Sequence, residues 1–145
     1  MIGGIAEAQI EWVCNFLHIV GRENEPDLWH VHHYFATNPD QALKDIERFY
    51  DTVGTPLWIT EFGSVVSDIS ATEKFLVWIE SRPWIERYAY FPTRMNKLFP
   101  WFPQDWDNEM ALVEWNRENI KPLGELYRDF QIYNMFIPAI IVADD

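Results

Sequence analysis

The chain has 145 residues, of which 48% are hydrophobic and 17% aromatic, and its formal net charge is −12. This composition excludes wholesale disorder, and the shortage of Lys and Arg disfavours nucleic acid or an anionic membrane surface as a partner. The single cysteine, Cys14, excludes an internal disulfide and a zinc site built on cysteines.

The first third of the chain alternates helical and strand patterns. Residues 5–20 place apolar side chains at helical spacing and predict a helix. The aromatic and β-branched run LWHVHHYF predicts a strand from Leu28 to Phe35. Asn38 as N-cap, followed by Pro39, then predicts a second helix to about residue 52.

The alternation continues through the rest of the chain. PLWITEF, residues 56–62, predicts a buried strand, and a capping box at residues 70–73 begins the next helix. RYAYF, residues 87–91, predicts a third strand. Residues 92–113 are rich in Pro, Trp and Asp and predict a long loop, and a final helix is predicted at about 115–129.

Alternating strands and helices predict an α/β fold with a parallel sheet, either open or closed into a barrel. Three strands do not close a barrel, and a complete eight-stranded barrel needs about 250 residues. A chain of this length could therefore hold only part of such a barrel. Residues 131–145 are expected to be a tail that is too short to cross a membrane.

The stretch PLWITEFG places a carboxylate, Glu61, at the C-terminal tip of the predicted strand. Barrel folds keep their chemistry at this end of their strands. A carboxylate at that position can attack an anomeric carbon or act as a general base when a second carboxyl group faces it. A solvated acid that caps the following segment is the alternative interpretation.

The histidines of the first strand are the second candidate site. Alternation along the strand places His30, His32 and Tyr34 on one face. His30 and His32 could bind zinc if Asp or Glu completed the ligand set, which would make a metal-dependent hydrolase. His32 and Tyr34 could instead hydrogen-bond Glu61 on the neighbouring strand and orient it. A buried histidine with a purely structural role also remains open.

The tripeptide Asn24-Glu25-Pro26 looks like the acid/base signature of many retaining glycosidases, in which it follows a strand. Here it precedes the predicted strand from Leu28 to Phe35 and should lie at the opposite end of the sheet. We therefore interpret Glu25 as a loop residue without a catalytic role.

Four ordered motifs, DLWHVHHYF, PLWITEFGS, WIERYAYF and KPLGELYRDF, together resemble the C-terminal half of the catalytic domain in glycoside hydrolase family 128, the glycosyl hydrolase catalytic core family. The resemblance runs from about residue 3 to residue 130 and implies that residues 1–130 form part of a barrel catalytic domain. It implies strands six to eight of a (β/α)8 barrel, in a family that cleaves β-1,3-glucan with retention of configuration. It also implies an extracellular or cell-wall location.

The resemblance assigns roles to individual positions. Glu61 falls on the nucleophile, and His32 with Tyr34 falls on its supporting residues. An aromatic platform and a glucan cleft are implied for four rings: Tyr88, Tyr90, Trp101 and Trp106. His33 stands where the family often has Trp. No cofactor or metal is implied.

The family's proton donor lies on the fourth strand, so we expect it upstream of residue 1. The resemblance therefore implies a truncated enzyme that is weak or inactive alone, with self-association through exposed sheet edges as a further expectation. Two alternatives stay open at this point. One is a carbohydrate-binding remnant without hydrolysis, and the other is the metal-dependent hydrolase on His30 and His32.

Overall fold

A computed structural model of the chain describes residues 7–92, 110–113 and 119–130. Their secondary structure alternates as predicted and consists of α1 (Glu7–Val20), a short 3-10 helix (Arg22–Asn24), β1 (Trp29–Phe35), α2 (Asp40–Val53), β2 (Leu57–Ser64), α3 (Ile69–Glu80), β3 (Ile85–Tyr90) and α4 (Pro122–Asp129). None of the described helices is long and apolar enough to span a membrane.

The three strands form one parallel sheet in the order β1-β2-β3. This confirms the predicted mixed α/β class with a parallel sheet. Each connection between neighbouring strands contains one helix, α2 and then α3, as parallel pairing requires. The C-terminal ends of all three strands consequently lie at one edge of the sheet.

The core forms where the helices pack on one face of the sheet. Phe62 of β2 stacks on Phe75 of α3 with ring centroids 4.9 Å apart, and Phe75 also stacks on Phe35 of β1 at 5.0 Å. Trp29 of β1 makes edge contacts with rings of α1 and α2. Trp84 stacks on Tyr50 of α2 at 4.1 Å. Trp29 and Trp84 therefore serve packing and do not line a ligand surface.

Local capping explains how α2 begins and ends. The N-cap of α2 is Pro39, one residue after the predicted Asn38, whose side chain accepts a hydrogen bond from the Asp40 backbone N–H at 2.9 Å. Gly54 ends the helix with φ 76°, a left-handed conformation that glycine adopts without steric cost. These details confirm the predicted boundaries of α2 within a residue or two.

Two predicted helix starts are wrong. The cap of α3 is Asp68 and not Ser70, because the extended Asp68 backbone lets its carboxylate accept from the Ala71 N–H at 2.8 Å. Among the described residues, the helix that ends at Asp129 begins at Pro122, after non-helical residues 119–121, so one continuous helix over about 115–129 is wrong. Lys121 is extended, with ψ 161°, since the proline ring disfavours a helical conformation in the residue before it.

Candidate active site

A β-bulge in β2 decides which way Glu61 faces. Val31 of β1 is paired with Ile59, but the next residue, His32, is paired with Glu61, so Thr60 is the extra residue. Simple alternation would put Ile59 and Glu61 on one face. The bulge instead leaves Ile59 fully buried on the helix face and brings Glu61 to the opposite face beside its partner His32.

Two side chains of β1 converge on one oxygen of Glu61. The Tyr34 hydroxyl donates to Oε2 at 2.6 Å, and Nδ1 of His32 lies 3.3 Å from the same atom. The Glu61 side chain is 31% exposed, whereas that of His32 is only 10% exposed. The predicted contacts are therefore present, and they hold a carboxylate that a ligand can reach.

The hydroxyl of Tyr34 is a donor throughout the physiological range. Burial raises the pKa of Tyr34 well above its ordinary value, and the neighbouring carboxylate of Glu61 raises it further. The neutral phenol can therefore give its proton to a hydrogen bond with Glu61 without losing it. This is a positioning contact and not an acid–base couple.

Phe91, immediately after β3, is an aromatic residue of the site that the sequence did not single out. Its ring makes an edge contact with Tyr34 at 6.4 Å, and its backbone N–H donates to the Phe62 carbonyl at 2.8 Å. Gly63 packs closely against the backbone of Phe91: a Cβ at position 63 would be only 2.6 Å from the Phe91 carbonyl oxygen. An aromatic residue at the C-terminal end of a predicted strand is the signal that could have identified it.

Tyr88 and Tyr90 are buried in the structure, which corrects the prediction that their rings form a platform for the sugar beside Glu61. A second bulge, at Glu86, pairs Tyr88 with Ile59 and Tyr90 with Phe62, so both rings share the helix face. They are only 8% and 5% exposed.

Each of these rings has partners on the helix side of the sheet. The Tyr88 hydroxyl donates to Glu80 of α3 at 2.5 Å, and Tyr90 packs between Phe62 and Tyr127. Burial raises the pKa of both tyrosines. Trp101 and Trp106, the other predicted cleft residues, lie outside the described residues.

Glu25 occupies the end of the sheet opposite to Glu61, as its position before β1 predicts. Its carboxylate accepts from the Trp29 indole N–H at 3.1 Å and pairs with Arg22 at 3.3 Å. Arg22 also donates to the carbonyls of Thr52 and Val53 at the C-terminus of α2. Glu25 thus ties the chain before β1 to α2.

The metal alternative receives no support from the donor geometry. Nδ1 of His30 lies 3.3 Å from the Thr60 hydroxyl, and its ring is 5.9 Å from that of His32. Within the described residues, no group of three or more His, Cys, Asp or Glu side chains is arranged to hold a metal ion.

Three solved structures share the fold of this chain. An exo-β-1,3-glucanase of family GH128, subgroup VI, from Aureobasidium namibiae is 20% identical with a TM-score of 0.63, and the match covers 83% of this chain and 48% of that one. An endo-β-1,3-glucanase of subgroup II from Pseudomonas viridiflava is 19% identical with a TM-score of 0.61 and the same coverages, 83% and 48%.

The third is an oligosaccharide-binding protein of subgroup VII from Cryptococcus neoformans, which is 22% identical with a TM-score of 0.57 over 85% of this chain and 47% of that one. The chain thus spans about half the length of each solved relative. A search of curated proteins finds no significant match.

The family model of the glycosyl hydrolase catalytic core matches residues 3–127, which is most of the chain. The match includes β1, β2 and β3 and therefore the strands that carry Glu61, His32 and Tyr34. The chain belongs to the glycosyl hydrolase catalytic core family, and the resemblance predicted from its sequence is confirmed.

Proposed function

We propose that this chain carries the nucleophile side of a retaining β-1,3-glucanase site, with Glu61 as the nucleophile. In this proposal β1, β2 and β3 are strands six to eight of a (β/α)8 barrel. The observation that carries it is the convergence of Tyr34 and His32 on Oε2 of a partly exposed Glu61 at the strand ends. Barrel enzymes perform their chemistry at that end.

In the proposed reaction a carboxylate oxygen of Glu61 attacks the anomeric carbon of a glucosyl residue. The bond from that carbon to the leaving oxygen breaks, and a glycosyl ester on Glu61 forms. Water then cleaves the ester and restores the carboxylate. Tyr34 and His32 keep the carboxylate oriented, so that little reorganisation is needed when the sugar binds.

The first step also needs a proton for the leaving oxygen. Retaining enzymes take it from a second carboxyl group about 5–5.5 Å from the nucleophile. In the family that the sequence resembles, this group lies on the fourth strand of the barrel, whereas β1, β2 and β3 are proposed here as strands six to eight. We therefore propose that the 145-residue chain alone is a weak or inactive hydrolase.

The proposed substrate class is β-1,3-glucan. Two of the solved relatives are described as exo- and endo-β-1,3-glucanases, and a neutral polysaccharide suits a chain with a net charge of −12. The Phe91 ring beside Tyr34 offers an apolar wall for a sugar.

The same proposal includes a location outside the cell or at the cell wall. It also includes self-association through the unpaired sides of the edge strands β1 and β3.

The proposal is tested by incubating the purified chain and Glu61→Gln with laminarin-type β-1,3-glucan and measuring reducing ends. We expect slow release or none from the native chain and none from Glu61→Gln. Release at ordinary enzymatic rates, of order 1 per second or faster, would contradict the expectation of a weak chain. Release that is unchanged in Glu61→Gln would exclude Glu61 as the nucleophile.

A second candidate is carbohydrate binding without hydrolysis. It is favoured by the solved relative from Cryptococcus neoformans, which is described as an oligosaccharide-binding protein. Calorimetric titration with laminari-oligosaccharides measures binding, and an activated 2-deoxy-2-fluoro laminaribiosyl fluoride tests whether Glu61 attacks a sugar. Binding without a glycosyl adduct on Glu61 supports the binding module, whereas an adduct on Glu61 supports the nucleophile.

A further inference from the structure

His33 links the strand that carries Tyr34 to the helix behind it. Its Nε2 lies 3.1 Å from Oδ2 of Asp45 on α2, and its Nδ1 lies 3.1 Å from the backbone carbonyl oxygen of Tyr34. Gln41 donates to the other carboxylate oxygen, Oδ1 of Asp45, at 2.8 Å and so fixes its orientation. The ring of His33 therefore lies between two oxygen acceptors, one on β1 and one on α2.

Two acceptor oxygens can both be satisfied only if both ring nitrogens carry a proton. Neutral imidazole has one N–H and one lone pair, so it donates to one oxygen and turns the lone pair toward the other. The imidazolium form has an N–H on both nitrogens and satisfies both oxygens. The side chains of His33 and Asp45 are only 16% and 24% exposed, so water replaces a lost contact incompletely.

We propose that His33 is a proton-dependent positioning residue for the site. Its protonated ring joins the C-terminal end of β1 to α2 by donating to the Tyr34 carbonyl oxygen and to Asp45, a pair of contacts that we call the clamp. The clamp fixes Tyr34 in its position beside Glu61. His33 faces the helices and does not touch the site face, so it acts through the backbone of Tyr34, whose hydroxyl lies 2.6 Å from Glu61. The catalytic consequence rests on the proposed function of Glu61, whereas the clamp itself does not.

Within the described residues, the carboxylate in contact with the His33 ring is that of Asp45, and Arg48 follows one turn later on the same side of α2. On β2 the register partner of His33 is Phe62, against which α3 packs through Phe75. Protonation of His33 therefore changes a local contact between β1 and α2. Imidazole is the side chain whose ordinary charge change lies closest to neutral pH, so pH is the variable that tests the clamp.

The clamp is tested by a double-mutant cycle in urea unfolding, with His33→Gln, Asp45→Asn and the double variant, at about pH 6 and pH 8. Glutamine retains a donor of similar reach but does not titrate. We expect the coupling between the two positions to change the folding equilibrium by roughly fivefold at the lower pH and by clearly less at the higher one, where the neutral ring can donate to only one of its two acceptors. His18→Gln on the exposed side of α1 is the matched control, and we expect no coupling between it and Asp45→Asn.

The effect on Tyr34 is measured separately by NMR, from the ¹³Cζ resonance of labelled tyrosine assigned through Tyr34→Phe. We expect this resonance to shift with the titration of His33 in the native chain and to lose that step in His33→Gln. Equal coupling at both pH values, or an unchanged Tyr34 titration in His33→Gln, would overturn the proposal. An activated 2-deoxy-2-fluoro laminaribiosyl fluoride that leaves Glu61 unmodified while the coupling holds would instead overturn the proposed function and leave the clamp standing.

Discussion

The hydroxyl of Tyr34 lies 2.6 Å from Oε2 of Glu61, across the ladder that joins β1 to β2. The two residues are not register partners, since Tyr34 is paired with Gly63 and Glu61 with His32. The tyrosine therefore reaches back along the strand to the carboxylate. The bulge at Thr60 makes this possible by turning Glu61 to the face that carries His32 and Tyr34.

Tyr34→Phe removes the hydroxyl and keeps the ring. We expect weaker binding of laminari-oligosaccharides, because Glu61 loses its shortest hydrogen bond and the carboxylate becomes free to rotate. The free energy of unfolding should fall by about 1 kcal/mol, since the partly exposed carboxylate regains water. Calorimetric titration and urea unfolding measure the two effects.

The matched control for Tyr34→Phe is Tyr50→Phe, which deletes a hydroxyl from a ring that stacks on Trp84 away from the site. It should leave oligosaccharide binding unchanged. Equal binding by Tyr34→Phe and the native chain would remove Tyr34 from the site.

Gly63→Ala should disturb the site by steric contact. The new Cβ would lie 2.6 Å from the carbonyl oxygen of Phe91, which is backbone and does not give way easily. We expect a displaced Phe91 ring, a loss of stability of about 1–3 kcal/mol and weaker oligosaccharide binding.

Gly54→Ala is the control for Gly63→Ala, because it introduces backbone strain far from the site and creates no steric contact. Its Cβ meets nothing within 4 Å, although its φ of 76° disfavours alanine. It should lower stability by about 1 kcal/mol and leave binding intact. If Gly63→Ala affected binding no more than Gly54→Ala does, close approach at Gly63 would have no role in the site.

Glu25→Ala should act on stability and not on the chemistry. The substitution leaves the Trp29 indole N–H and Arg22 without their carboxylate, and we expect the free energy of unfolding to fall by about 1–3 kcal/mol. Binding at the Glu61 site should not change. Glu23→Ala, at an exposed neighbouring position, is the control for a general loss of negative charge. Loss of Glu61-dependent cleavage in a folded Glu25→Gln protein would restore Glu25 as an acid/base candidate.

Alkaline pH should destabilise the fold. Burial raises the pKa of four of the six tyrosines, Tyr34, Tyr88, Tyr90 and Tyr127. Above about pH 10 the unfolded chain loses these protons while the folded chain keeps them, so the unfolded state binds fewer protons and stability falls as the pH rises. Below that pH these groups contribute no pH dependence.

The measurement for this prediction is tyrosinate absorbance near pH 11, where the native chain should show less than about half the signal of the urea-unfolded chain. Tyr34→Phe should make the loss of stability with pH less steep. Equal titration curves for the folded and unfolded chains would contradict the burial of these hydroxyls.

Periodicity and capping residues predicted most of the secondary structure. β1 and α2 lie within two residues of their predicted bounds, because alternation and the Asn38 cap are local signals. The start of α4 was missed because the apolar pattern continues upstream of Pro122, whereas the proline sets the boundary. The pairing of Glu61 with residues of β1 was also predictable, since neighbouring parallel strands end at the same edge of the sheet.

The faces of the strands beyond the bulges could not be predicted from alternation. Each bulge inserts one residue and reverses the side on which later residues lie. On β3 the bulge at Glu86 places Tyr88 and Tyr90 on the helix face, and Phe91 is the ring that contacts Tyr34. Register is a property of two strands together, so one strand's sequence does not reveal it.

The most direct test of Glu61 as the nucleophile avoids the need for a second carboxyl group. A 2-deoxy-2-fluoro laminaribiosyl fluoride has a leaving group that departs without protonation, so the nucleophile alone can form the glycosyl ester, and the fluorine at C2 slows its hydrolysis. Intact-mass and peptide mass spectrometry then locate the adduct. We predict one glycosyl group on the peptide that contains Glu61 and none in Glu61→Gln. No adduct on the native chain, or an adduct that persists in Glu61→Gln, would contradict the account.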